Sequence, residues 1–332
     1  MDRHLRTLVG LLATMLASSS ATARTHDGSV ESVTVRPNVV LVIVDDMGPV
    51  DWQHHPEFNP LGSRVYETPN MLRLAQRGVT FSNGYAASPV CSPSRAAIMT
   101  GKSAAHIGIT DYIGSPSNAV GSRVGDSQTW IENMPASEVL LPEALRAAGY
   151  ATGFFGKWHL GEAGNPAADP LQSGFDVNVG GTNAGNPQFA GGFFAGADGA
   201  WFGMPGLSTL SAYPADAYLS DALSAEAASF IRNRASADEP FLAVVSLYVV
   251  HTPIQAPASL VSYYANKIGG LTPGEVDGHG DATYAAMVHK MDEALGRVLD
   301  ALDDPDADGI PDAMDNCPTV FNPIRPVDGG AQ

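Results

Sequence analysis

A chain of 332 residues that is 44% hydrophobic can bury a sizeable core, as one large domain or two small ones. Its 35 acidic and 18 basic residues leave a formal charge of −17, which excludes a groove that neutralises phosphates and hence a nucleic-acid partner. The same acidity leaves carboxylates spare for hard cations.

The first residues, MDRHLRTLVGLLATMLASSSATARTHDG, place Arg3 and Arg6 before an apolar run that ends in Ala21-Thr22-Ala23. This is the pattern of a cleavable export signal, expected over residues 1–23. The run is too short and too rich in Ser and Ala to span a bilayer, and no later stretch is long enough. The expectation is an exported protein, periplasmic or extracellular, with no membrane span. Export permits disulfides, and Cys91 with Cys317 is the single pairing available.

RPNVVLVIVDDMG, bounded by Pro37 and Gly48, reads as a buried parallel strand ending in Asp45 and Asp46. TPNMLRLAQRG (68–78) predicts a helix that starts after Thr68, with Pro69 in its first position, and stops at Gly78. Residues 139–161 predict a helix, a stop at Gly149, a short strand and a loop. The Gly, Asn and Pro content of 162–215 predicts a long surface excursion. A helical pattern then runs from Asp216 to Ala235 through Leu219, Leu223, Ala227, Phe230 and Ile231. PFLAVVSLYVVHTP (240–253) predicts another buried strand, and Met287, Met291, Leu295, Val298 and Leu302 mark a helix over 283–302. This alternation predicts an α/β fold, a mostly parallel sheet sandwiched by helices. Ligands in such sheets bind beyond the carboxyl ends of the strands, where Asp45, Asp46 and His251 fall.

Adjacent carboxylates repel each other, so Asp45-Asp46 at a strand end suits a divalent cation with oxygen ligands; taken alone, it also suits a cap or a turn. Lys157 and His159, two residues apart in GKWHLG, point to one side of an extended loop and suit an anionic substrate. Pro89 and Pro93 exclude a helix interior around Cys91, while SRAAIMTG predicts a helix that starts just after the cysteine and ends at Gly101. Cys91 is therefore expected at or just before a helix N-terminus, where anions are stabilised, with Arg95 one turn further on.

CSPSR followed by AAIMTGK resembles the signature of the type I sulfatases of the alkaline-phosphatase-like superfamily, and PNVVLVIVDDMG, GYATGFFGKWHLG and HTPIQAP match further landmarks in order. The resemblance covers roughly residues 36–302. It implies that Cys91 is oxidised to Cα-formylglycine by a formylglycine-generating enzyme that reads Cys91, Pro93 and Arg95. It implies a sulfate-ester substrate, aryl or carbohydrate, attacked by the hydrated aldehyde. An active-site calcium would be held by Asp45, Asp46 and residue 91. Arg95 would stabilise the ionised diol, Lys157 would hold sulfate charge, His159 would serve as base, and His251 would donate to the leaving oxygen.

Members of that family continue into another apolar strand, which ends in an Asp-Asn pair that completes the calcium site, and they supply a second lysine. Neither is found after Leu302, so residues 36–302 are expected to be an incomplete catalytic domain with reduced or absent activity. The tail over 303–332 carries Asp304, Asp306, Asp308, Asp312 and Asp315 at positions 1, 3, 5, 9 and 12 of a loop, with Gly309 at position 6. It resembles a single thrombospondin type 3 repeat, which implies a second calcium loop. Two alternatives stay open: phosphodiester or phosphonate ester hydrolysis on the same scaffold, and an inactive calcium-binding exported protein.

Overall fold

The structure, a computed structural model, describes residues 20–24, 30–34, 36–114, 131–187, 191–197, 200–201, 203–207, 213–237 and 239–304. At the N-terminus β1 (Ser20–Arg24) and β2 (Val30–Thr34) form an antiparallel hairpin, a compact unit of its own. The second unit begins at Val40.

In chain order the remaining elements are β3 (Val39–Val44), α1 (Pro69–Arg77), α2 (Cys91–Thr100), α3 (Ala104–Ile107), α4 (Leu141–Ala147) and β4 (Ala151–Gly156). Then follow two short 3₁₀ turns, β5 (Val177–Val179), α5 (Leu219–Ser236), β6 (Phe241–Leu247), α6 (Ala258–Gly269), α7 (Pro273–Val276) and α8 (Ala282–Asp303).

One sheet has the order β3-β6-β4-β5, and β4 runs parallel to both of its neighbours. β6, apolar apart from Ser246, is buried at every position, as a central strand covered on both faces must be. On one face Phe155 meets Phe230 of α5 at 5.6 Å between ring centroids. On the other, Phe154 packs with Trp158 and Phe175, both at 5.1 Å. This alternation is the pleat at work. Helix α5 packs on β4 and β6 and is itself covered by α8, whose Met287, Met291, Leu295 and Val298 are all buried. The α/β reading therefore holds. The burial expected of β3 is not met: it is outermost in the described sheet, and each of its six residues is half-exposed.

Three further expectations need correction. Helix α2 starts at Cys91 itself, with Pro93 inside its first turn, where a missing N–H has no intrahelical partner to lose. The strand over 240–253 stops at Leu247, and the chain turns through Val249 and Val250 to reach His251. The stretch over 162–215 is no mere surface excursion: it supplies β5 and buries Phe175, Phe193, Trp201, Met204 and Leu207. Its glycines make the turns, but its aromatic and apolar side chains bury enough surface to hold it against the sheet.

Among the described residues no helix is long and apolar enough to cross a membrane. Of the tail aspartates, Asp304 caps the end of α8, while Asp306, Asp308, Asp312 and Asp315 lie outside the described residues, as does Cys317.

Candidate active site

The site is built where β3, β4 and β6 end. Asp45 directly follows β3 and is tied to the turn after β6 by two backbone bonds, Asp45 N to Val249 O at 3.1 Å and Val250 N to Asp45 O at 2.8 Å. Lys157 directly follows β4, and its N–H donates to Ser246 O at 2.7 Å. Gly156 makes that approach possible, because a Cβ there would sit 1.9 Å from the Ser246 carbonyl oxygen.

Four charged or titratable side chains are buried together. Asp45 is 6% exposed, Arg95 4%, Lys157 0% and His159 4%. Lys157 Nζ donates to Asp45 Oδ2, and Arg95 Nη2 lies 3.2 Å from Asp45 Oδ1. Burial pushes the Asp45 carboxyl up, but Arg95 and Lys157 outweigh it and hold it below its ordinary value. Arg95 Nη1 donates to Lys157 O at 2.6 Å and to Ser246 Oγ at 2.5 Å, so the guanidinium bridges the ends of β4 and β6. Among the described residues its Nε is buried without a hydrogen-bond partner.

Lys157 and His159 do reach the same side, and Trp158 between them turns away to donate its Nε1–H to Ala167 O at 2.7 Å. The loop is not simply extended, because His159 takes a left-handed backbone with φ 58°. Its imidazole Nδ1 stands 3.3 Å from Cys91 Sγ, and its Nε2 is 2.9 Å from Ile113 O. A Cβ on Gly185 would come within 2.6 Å of this ring, so the glycine-rich segment closes over the histidine by having no side chain there. Burial, then the nearby Lys157 charge, lowers the His159 pKa to about 4, which keeps the ring neutral and able to accept a proton.

Cys91 opens α2, is half-exposed and is a free thiol. Asp46 and His251 stand at the mouth: Asp46 is exposed with a left-handed φ of 59°, and His251 Nε2 is 3.6 Å from its Oδ2. His251 Nδ1 donates to Thr252 O at 2.8 Å, which leaves Nε2 as the working nitrogen.

These positions draw Cys91, Arg95, Lys157, His159 and Asp45 into one site, with Asp46 and His251 at its edge. The expected calcium is supported only in part. Asp45 and Asp46 have the right donor chemistry, but no group of three or more His, Cys, Asp or Glu among the described residues is placed to hold a metal ion. Asp45 is already paired with two cations. A hard cation with six to eight oxygen ligands is not provided for by the described residues alone.

Sequence reasoning missed Ser246 and Ile113, whose contributions are a hydroxyl and a backbone carbonyl with no motif signal. It also missed Asp51, which accepts from Gly48 N and from Tyr284 OH, each at 2.8 Å, and so braces the turn that carries Asp46.

Residues 37–309 match the sulfatase family model. The chain belongs to the sulfatase family. It is similar to a sulfatase of Formosa agariphila, at 32% identity over 91% of this chain and 58% of that protein. It is also similar to human N-acetylgalactosamine-6-sulfatase, at 32% identity over 81% of this chain and 47% of that one. Among solved structures, Ps i-CgsB in complex with k-i-k-neocarrahexaose aligns with a TM-score of 0.58 and 28% identity, over 81% of this chain and 55% of its own. This sulfatase-family chain spans about half the length of the curated relatives it matches. The family match agrees with the CSPSR-centred resemblance in sequence.

Proposed function

We propose that this chain carries the nucleophile and its supporting residues for sulfuric ester hydrolysis, in an exported protein. The observation that carries the reading is the placement of Cys91 Sγ at 3.3 Å from a neutral His159 Nδ1, beside the buried cations Arg95 and Lys157. Cys91 is read as the precursor of formylglycine, made by a formylglycine-generating enzyme. The hydrated aldehyde supplies two hydroxyls on one carbon, one to attack sulfur and one to expel sulfate on giving up its proton.

The chain's own residues do the rest. Arg95 directs a buried donor toward the anion, and Lys157 adds positive charge where sulfate oxygens gather. His159 Nδ1 accepts the proton from the hydroxyl at position 91; burial keeps the ring neutral and its lone pair free, at the cost of weaker basicity. His251, half-exposed at the mouth with its Nε2 3.6 Å from Asp46 Oδ2, donates from Nε2 to the departing alcohol. Poor leaving groups need that proton.

A calcium ion would be held by Asp45, Asp46 and residue 91 only with further oxygen ligands supplied by residues outside those described. The aspartates over 304–315 are proposed as a separate calcium loop. Arg3, Arg6 and Ala21-Thr22-Ala23 support export through a leader over 1–23. One relative is named for N-acetylgalactosamine-6-sulfate, and Ps i-CgsB holds a neocarrahexaose, which together favour a carbohydrate sulfate as substrate.

The test is mass spectrometry of the peptide spanning Cys91, with sulfate release from matched aryl and sugar sulfates. An aldehyde mass is expected, with any turnover abolished by Cys91→Ala; an unmodified thiol would falsify the reading. Faster cleavage of the matched phosphate or phosphonate esters would move the assignment to those substrates.

A further inference from the structure

Ile113 has a side chain without reactive chemistry, yet its backbone joins two parts of the site. Its N–H donates to Ser92 Oγ at 3.0 Å, and its carbonyl oxygen lies 2.9 Å from His159 Nε2. All three residues are enclosed: Ser92 is 0% exposed, Ile113 5% and His159 4%. Ser92 directly follows Cys91 in the first turn of α2.

A carbonyl can only accept a hydrogen bond, so in the neutral ring Nε2 carries the proton and Nδ1 keeps its lone pair. That lone pair is the one 3.3 Å from Cys91 Sγ. The other tautomer would set a lone pair against the Ile113 carbonyl and turn an N–H toward position 91, where it is useless as a base. Neither Ser92 nor Ile113 touches the reacting atoms.

We propose that Ser92 Oγ and the Ile113 backbone form a positioning relay that fixes the tautomer and tilt of His159. The relay begins one residue after the nucleophile and ends on the base that faces it, so a shift of the α2 N-terminus carries the imidazole along. Its catalytic meaning rests on the proposed function above, whereas the tautomer does not.

The test is long-range ¹H–¹⁵N NMR of the histidine rings in the full chain, with His159→Gln identifying the His159 signals among nine histidines. Wild type and Ser92→Thr, which keeps the hydroxyl, are expected to show the Nε2–H tautomer. Ser92→Ala is expected to admit the Nδ1–H form. It should also lower kcat about tenfold, one hydrogen bond's worth, with KM changed less than about twofold once rates are normalised to the aldehyde content at position 91.

An Nδ1–H tautomer in the wild type overturns the relay, and so does Ser92→Ala with wild-type tautomer and kcat. Should Ser92→Ala fail to fold, the wild-type and Ser92→Thr spectra still decide. A chain that shows the Nε2–H pattern but keeps an unmodified thiol at position 91 sinks the functional reading and leaves the relay standing.

Discussion

Replacing Lys157 with Met removes one of the two cations on Asp45 while keeping most of the side chain's volume. Lys157 is 0% exposed and Asp45 6%, so neither water nor salt screens the loss. Breaking a buried ion pair from one side costs about 3–5 kcal/mol, because the remaining charge stays buried. Arg95 remains 3.2 Å from Asp45, which places the expected cost at the lower end, about 3 kcal/mol. Adding Asp45→Asn removes the stranded charge, so the double variant should recover part of the loss, with a coupling of about 2 kcal/mol. Urea unfolding of the four proteins in the cycle, in chelator so that no cation replaces Lys157, measures both numbers. The sign with pH follows. The Asp45 carboxyl is held below its ordinary 3.8, so its stabilisation is present above that pH and lost as pH falls through the folded value. Without Lys157 that acid-side loss begins at a higher pH. A cost under about 1 kcal/mol, or an additive cycle, would refute the argument that these two side chains are paired in a dry interior.

The remaining predictions concern other parts of the molecule. His159 has an ordinary pKa of 6.5 and a folded value of about 4, so between those pH values the unfolded chain binds the extra proton. Stability should therefore fall by about 3 kcal/mol as pH drops through that window, and His159→Gln should flatten the curve. Asp292 is 2% exposed and accepts from Asn70 N, Asn70 Nδ2 and Met71 N at 3.0, 2.9 and 2.8 Å. Asp292→Ala should cost about 3 kcal/mol in chemical unfolding, since it strands those donors at the start of α1. His251→Ala should slow cleavage of poorly departing alcohols at least tenfold more than that of activated aryl sulfates, and equal slowing would remove its role as the acid.

Where apolar spacing was long and regular, sequence and structure coincide. β3 and β6 are near-continuous apolar runs bounded by turn residues, and helices α1, α5 and α8 carry three-and-four spacing, so each declares itself. β5 does not, because Val177, Asn178 and Val179 give only one alternation inside a glycine-rich segment. The same segment hides Phe193, which stacks on Tyr218 at 5.5 Å, because local composition cannot register a partner so far along the chain. Helix α1 shows the limit at a single residue. Thr68 stands at the cap position but makes no capping bond; its Oγ1 accepts from Gln53 N at 2.9 Å, and the cap comes from Asp292, 222 residues from Asn70. At the site, Cys91, Arg95, Lys157 and His159 were legible through CSPSR and GKWHLG. Ser246 and the Ile113 carbonyl were not, because a buried hydroxyl and a peptide oxygen act by position alone.

The bridge from Arg95 across the ends of β4 and β6 has a consequence for amide exchange with solvent. The N–H groups of Asp45, Lys157 and Val250 are each bonded to the end of a neighbouring strand or the turn beyond it. The guanidinium ties Lys157 O to Ser246 Oγ beneath them. The Lys157 amide is bonded to β6 itself, so its deuterium uptake should be governed by cooperative loss of the sheet, whereas the Asp45 and Val250 amides follow the turn after β6. Residues at the mouth, such as Asp46, should exchange many orders of magnitude sooner, marking in time the boundary between the rigid floor of the site and its rim.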